Sequence, residues 1–138
     1  MNETLSRRAF LRVLTVMGAS ALLPPPADAQ TAPPRFVPVG KVTSFPPGAT
    51  KLVTLPGGEA VFVRRVSPKA TASAFHALSA RCTHKGCVVA WSAGARQFHC
   101  PCHGGKFDAQ GRNIAGPPPS PLPSLPVKVV RSLVLVAV

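Results

Sequence analysis

Tyrosine is absent from this 138-residue chain, tryptophan occurs once, and only four side chains are acidic. So few aromatic rings leave nothing for bases to stack on, and the basic residues are scattered in runs no longer than two. A nucleic-acid partner is thereby excluded. Long apolar runs are also missing: the most apolar stretch, Val13–Leu23, would reach about 16 Å as a helix, half of a ~30 Å hydrocarbon core. No repeats and no sustained helical pattern occur. The 17 prolines explain the second absence, because each one removes a backbone donor and fixes φ. At this length one domain with a small core is expected, which a cross-link or a metal centre would help to stabilise.

What is abundant is positive charge, +12 in formal terms. Solubility alone would account for it. The functional reading is an acidic partner, such as an acidic redox protein.

Arg7 and Arg8, followed by Phe10 and Leu11, stand before the apolar stretch, and Ala27-Asp28-Ala29 offers a small-x-small cleavage site before Gln30. This segment resembles a twin-arginine export signal more than a membrane span or an ordinary basic signal peptide. Such a route implies delivery of an already folded protein to the periplasm, an oxidising compartment where disulfides persist. Removing residues 1–29 takes away Arg7, Arg8, Arg12, Glu3 and Asp28. The remainder has 13 basic and 2 acidic side chains, a balance of +11, so the basicity belongs to the working domain.

Residues 30–34 read as a linker, and residues 35–138 as an all-β domain. Lys51–Leu55 and Ala60–Val66 flank the turn at Pro56-Gly57-Gly58 and predict a β-hairpin. Val88–Ser92 and Arg96–Cys100 flank Ala93-Gly94-Ala95 and predict a second one, with Val88, Trp91 and Phe98 as its core. Residues 116–126 are too proline-rich for regular structure, and 127–138 close the chain as one strand or two. His76 and His99 fit ordinary strand or surface positions, and Asp108 fits a turn.

All four cysteines lie in two boxes, Cys82-Thr-His84-Lys-Gly86-Cys87 and Cys100-Pro-Cys102-His103-Gly104-Gly105. One thiolate and one imidazole from each could close a tetrahedral Cys2His2 zinc site. Zinc leaves Cys87 and Cys102 without a role, however. The glycines beside both histidines instead suggest tight loops whose backbone N–H groups crowd around an anion.

The boxes resemble the two motifs of Rieske iron–sulfur proteins of the respiratory, disulfide-containing type, C-x-H-x-G-C and C-x-C-H-G. The resemblance extends over 35–138 and is most specific between 82 and 119. It implies a small antiparallel β-sandwich or barrel with a cluster-binding subdomain, about 80–119, formed by two loops. It also implies one 2Fe–2S cluster, with Cys82 and Cys100 on one iron and His84 and His103 on the other. Cys87 and Cys102 take the positions of the disulfide that joins the two loops. Gly86, Gly104, Gly105, Phe107, Pro117 and Pro118 would surround the cluster, the prolines as part of a covering loop over 116–119. An oxidised cluster with neutral imidazoles carries no net charge, whereas four thiolates would leave −2. Such centres therefore fall at higher potential, roughly −150 to +300 mV. Electron uptake at the histidine-bound iron favours protonated imidazoles, which couples electron to proton.

The chain departs from the high-potential pattern where serine and tyrosine hydroxyls donate to cluster sulfur, because Gly105 and Phe107 stand there. Without those donors the potential is expected below that of typical quinol-oxidising members. The leading expectation is a periplasmic electron carrier, standalone or the small subunit of an oxidoreductase, that does no bond chemistry alone. Its partner would be an acidic-surfaced cytochrome b or c or a molybdenum oxidoreductase subunit. The alternatives are a quinol-oxidising subunit of a cytochrome bc-type complex and the small subunit of arsenite oxidase. A ferredoxin of a dioxygenase, or a zinc-stabilised binding module, ranks below these. The membrane would be reached only through a partner or an uncleaved N-terminus.

Overall fold

The computed structural model describes residues 32–138. The twin-arginine segment and its cleavage site lie outside the described residues. The regular structure of the described chain is nearly all strand: β1 (Phe36–Lys41), β2 (Thr50–Thr54), β3 (Ala60–Arg65), β4 (Phe75–Ser79), β5 (Ala90–Ser92), β6 (Gln97–His99), β7 (Lys106–Asp108), β8 (Asn113–Ala115), β9 (Ser124–Leu125), β10 (Val127–Val130) and β11 (Leu133–Ala137). Only two short 3-10 turns, Val42–Ser44 and Ala72–Ala74, interrupt them among the described residues. All strand pairs are antiparallel and form three sheets, β1-β11-β10, β2-β3-β4-β9 and β5-β6-β7-β8. The all-β architecture expected from the β-branched runs and the turn residues holds.

The first expected hairpin forms, with Thr54 opposite Ala60 across the Pro-Gly-Gly turn, where Gly58 takes the left-handed φ of 81°. The second also forms, with Ser92 opposite Gln97. Its core differs by one residue from expectation. Val88 is 47% exposed, whereas Val89 is buried. Because strand side chains alternate, Val88, bridged to Arg81, faces outward and Val89 takes the inward place. Trp91 and Phe98 do pack together, with ring centroids 4.7 Å apart.

The proline-rich run contains one element that was not expected. Ser124–Leu125 extends the second sheet by pairing with Leu78 and Ala77, between flanking prolines that limit it to two residues. Residues 127–138 form two strands, joined at Arg131 and Ser132, both with left-handed φ (48° and 64°). Such values are uncommon for these side chains, so the sequence gives no turn signal there.

Two cores result. One is built on Phe45, Val61, Val63, Phe75, Val134 and Val136 between the first and second sheets. The other gathers Phe62, Leu78, Val89, Phe98, Phe107 and Leu122 with Cys82 and Cys100, and it supports the third sheet. Arg64 joins the two regions: it is buried on β3, donates to the Ala109 carbonyl at 2.9 Å, and lies over the Trp91 ring. Burial lowers its pKa, and the positive charge of Arg96 adds to that. Neighbouring Arg65 is buried too, its guanidinium donating to the carbonyls of Phe45, Val42, Ser67, Pro68 and Lys69. Burial of an arginine is tolerated where its donors find acceptors, and here backbone carbonyls supply them.

Candidate metal centre

The two boxes fold into the same backbone device. In the first, the Gly86 N–H reaches the Cys82 carbonyl and the Cys82 N–H reaches the Cys87 carbonyl, both at 2.8 Å. In the second, Gly104 N–H reaches the Cys100 carbonyl at 3.1 Å and Cys100 N–H reaches the Gly105 carbonyl at 2.7 Å. Each loop thus closes on its leading cysteine by bonds to the fourth and fifth residues beyond it. The fourth residue is Gly86 or Gly104, with φ of 75° and 73°. A Cβ would meet nothing within 4 Å at either glycine, so backbone conformation and not space requires them.

This device places the leading cysteines inside and the histidines outside. Cys82 and Cys100 are free thiols, 3% and 1% exposed, while His84 is half-buried and His103 exposed. The imidazoles meet edge to face, with centroids 4.7 Å apart. Burial pushes the Cys82 thiol up, and the adjoining Cys100 side chain adds to this, whereas the backbone N–H groups of His84 and Lys85 directed at its sulfur oppose it. A thiolate at Cys82 therefore needs a cation beside it, while the loop already supplies N–H donors to its charge.

Cys87 and Cys102 form a disulfide that ties the loops together across 15 residues, with Cα atoms 6.5 Å apart. The Cys87, Cys100 and Cys102 sulfurs lie within 4.8 Å of one another. That group is no metal site by itself, because two of its sulfurs are bonded to each other and only Cys100 can donate.

The segment 116–119 covers the second loop. Gly116 has φ 88°, and a Cβ there would come within 2.8 Å of the Gly105 Cα and 3.0 Å of the Gly104 carbonyl oxygen. A Cβ on Gly105 would fall 2.6 Å from Pro118 Cγ and 3.5 Å from Cys100 Cβ. The two chain segments therefore pack backbone to backbone, with Pro118 buried beside Cys100 and Pro117 exposed. Two side chains that the sequence gave no reason to single out hold the cover down. Thr83 Oγ1 donates to the Ser120 carbonyl at 2.7 Å, and Asn113 Nδ2 donates to the Pro118 carbonyl at 2.6 Å. Neither has a sequence signature, because the acceptors are backbone atoms whose position only the fold determines. Phe107 is fully buried in the core that contains both free cysteines. Asp108 takes its expected turn role, accepting from the Gln110 and Arg112 N–H groups and from the Arg112 guanidinium. His76 and His99 are exposed strand residues, and although His99 directly precedes Cys100, neither joins a group of metal-ligating side chains among the described residues.

The donor set suits a mixed-ligand iron–sulfur cluster. Two buried free thiols adjoin, two imidazoles pair edge to face, and His84 Nδ1 is buried with no hydrogen-bond partner. A buried ring nitrogen left unpaired is costly unless something else takes its lone pair, and metal ligation does so.

Known proteins agree with this chemistry. The Rieske [2Fe-2S] domain matches residues 35–126. The cytochrome b6-f complex iron-sulfur subunit of Parasynechococcus marenigrum is 39% identical over 98 residues, which cover 71% of this chain and 54% of that one. The chain thus spans about half the length of that relative. Among solved structures, the plasma membrane Rieske protein of Synechocystis PCC 6803 superposes with a TM-score of 0.60 at 31% identity, covering 72% of this chain and 97% of that one. A chain of a hyperthermophilic respiratory Complex III gives a TM-score of 0.55 at 30% identity, with 83% of this chain and 82% of that one covered. The match over two thirds of the chain, together with the paired boxes and their disulfide, establishes that the chain belongs to the Rieske [2Fe-2S] domain family and carries one Rieske-type cluster.

Proposed function

We propose that this protein is a periplasmic electron carrier, standalone or the small subunit of an oxidoreductase, in which Cys82 and Cys100 hold one iron and His84 and His103 the other. When bound, the cluster supplies one-electron transfer. The observation that carries the ligand assignment is the buried Nδ1 of His84, which has no hydrogen-bond partner, in a loop that also holds the buried free thiol of Cys82. With Nδ1 engaged, the second ring nitrogen of each histidine is left to hold or release a proton. His103 is the more exposed of the two, so it is the better placed to meet a partner. The buried cysteines and the cover of Pro118 keep water from the other side.

Iron and acid-labile sulfide analysis with EPR of the reduced protein tests the assignment. Two irons and two sulfides per chain and a mixed-ligand EPR signal are expected, and a single zinc without colour would overturn it. His84→Ala should abolish that signal while the disulfide and the hydrocarbon core of Val61, Val63, Val134 and Val136 remain.

A second reading is favoured by the relatives. A cytochrome b6-f subunit and a Complex III structure are among the proteins most similar to the chain, so it also fits a quinol-oxidising subunit of a cytochrome bc-type complex. Against this stand Gly105 and Phe107, which bring no hydroxyl to the cluster. Native purification separates the readings: a cytochrome b in the complex supports the bc-type role, and a molybdenum subunit supports an oxidase such as arsenite oxidase.

A further inference from the structure

Charge around the two imidazoles is distributed unevenly. Asp108 is the single carboxylate between residues 80 and 119, and Arg112 already neutralises it at 2.6 Å. Arg81, Lys85, Arg96 and Lys106 are exposed in the same region and have no acidic partner among the described residues. Two of these four belong to the first cysteine–histidine loop. Lys85 follows His84 directly. Arg81 stands at the loop's neck, where it bridges Val88 and points its guanidinium toward the Gly86 carbonyl. Val88, between the neck and the buried Val89, is exposed and apolar. The second loop instead turns Pro101, Cys102, His103 and Gly104 to solvent, none of which carries a fixed charge. The imidazole pair therefore has two cations, Arg81 and Lys85, on its first-loop flank and one, Lys106, just past the end of the second loop.

Salt screening decides which charges a docked partner feels. The screening length is about 8 Å at physiological ionic strength. Cations spread over the other sheets then contribute only diffuse attraction, while Lys85 and Arg81 act at contact range. We infer that the first-loop face, Arg81 through Val88, is the docking surface for an acidic electron-transfer protein. The partner's carboxylates would seat against Lys85 and Arg81, and its apolar surface would rest on Val88. Such a contact is small and electrostatically steered, which suits the fast association and release of a carrier. A neutral quinol or a basic protein would gain nothing from these cations. The inference rests on the proposal that His84 and His103 are the point of electron exit.

Stopped-flow oxidation of the reduced holoprotein provides the test, with basic cytochrome c and its lysine-succinylated, acidic form as paired probes. The acidic form should react faster at low salt and lose its advantage as ionic strength rises. Arg81→Glu with Lys85→Glu should slow it at least about tenfold near 10 mM salt. Lys41→Glu with Lys128→Glu, an equal change of charge on the β1-β11-β10 sheet, should slow it less than about threefold. Lys85→Gln alone should give a smaller loss in the same direction and guards against misfolding of the double variant. Equal slowing by the two double variants, or a preference for the basic cytochrome, would overturn the docking face. Absence of the EPR signal from the unsubstituted protein would instead refute the cluster assignment, so the two failures are distinguishable.

Discussion

At position 105 the absence of a side chain has two consequences that pull in different directions. It withholds a hydroxyl from the cluster, and it lets Pro118 close down beside Cys100, since a Cβ would lie 2.6 Å from the proline ring. Gly105→Ser therefore cannot simply add a donor. The proline must shift first, so we expect lower thermal stability and a partly lifted cover before any gain in potential. Phe107→Tyr is the cleaner experiment, because Phe107 already lies in the core with both free cysteines. One added hydrogen bond of about 1 to 1.5 kcal/mol, stronger to the reduced cluster, corresponds to a rise of about 40 to 60 mV. Voltammetry that finds no shift would remove the hydrogen-bond explanation for this chain's expected low potential. Asp108 gives a pH prediction. Burial alone would raise its pKa, but hydrogen bonds from Arg112 and Gln110 hold the carboxyl below its ordinary value. A depressed carboxylate stabilises the fold above the unfolded pKa, about 3.9, and that contribution fades as pH falls through the folded value. Melting of wild type and Asp108→Asn should differ most above about pH 5 and converge only as pH falls below the folded value. A gap that stays constant with pH would show that charge is not the cause.

At the scale of the element, the two loops were legible in the sequence for a chemical reason. Iron ligation restricts residue types sharply, so Cys82, His84, Cys100 and His103 announce themselves as the proposed ligands, and the left-handed closures required Gly86 and Gly104. Contacts that depend on backbone acceptors were not legible. Arg65 satisfies carbonyls up to 23 residues away, and Thr83 reaches one 37 residues away. Any exposed-looking arginine or threonine has the same letter, and only tertiary placement makes it a clamp. The strand of Ser124–Leu125 was hidden for the opposite reason, since prolines on both sides mask a segment whose two free residues suffice to pair with β4. The disulfide is the device that makes the loops one unit. Closing 15 residues between Cys87 and Cys102 should stabilise the fold by about 3 kcal/mol through the unfolded chain. Replacing both with serine should lower the melting temperature accordingly and hasten cluster loss, read as bleaching of the visible absorbance. Unchanged bleaching would mean that Asn113, Thr83 and the cover of Pro118 hold the loops without it.

On the scale of the whole molecule, the division into two cores predicts how the protein comes apart. The core of Val61, Val63, Val134 and Val136 is entirely hydrocarbon and sits between long strands, and it owes nothing to the boxes. The second core includes Cys82 and Cys100 among its buried members, its sheet is made of three-residue strands, and its loops are closed on those cysteines. Such short strands cannot sustain a sheet unaided, so ligation at the two boxes should be part of what holds this half together. The halves share the second sheet, since Phe62 of β3 and Leu78 of β4 reach into the second core beside the Arg64 contacts, but only the second core leans on the boxes. Chelation of iron should therefore raise amide hydrogen exchange in β5 to β8 and in residues 116–119 by orders of magnitude. Amides of β3, β10 and β11 should keep most of their protection. Uniform loss of protection across both halves would show that the molecule is a single cooperative unit, and would make the cluster a support for the whole fold and not for its carrier half alone.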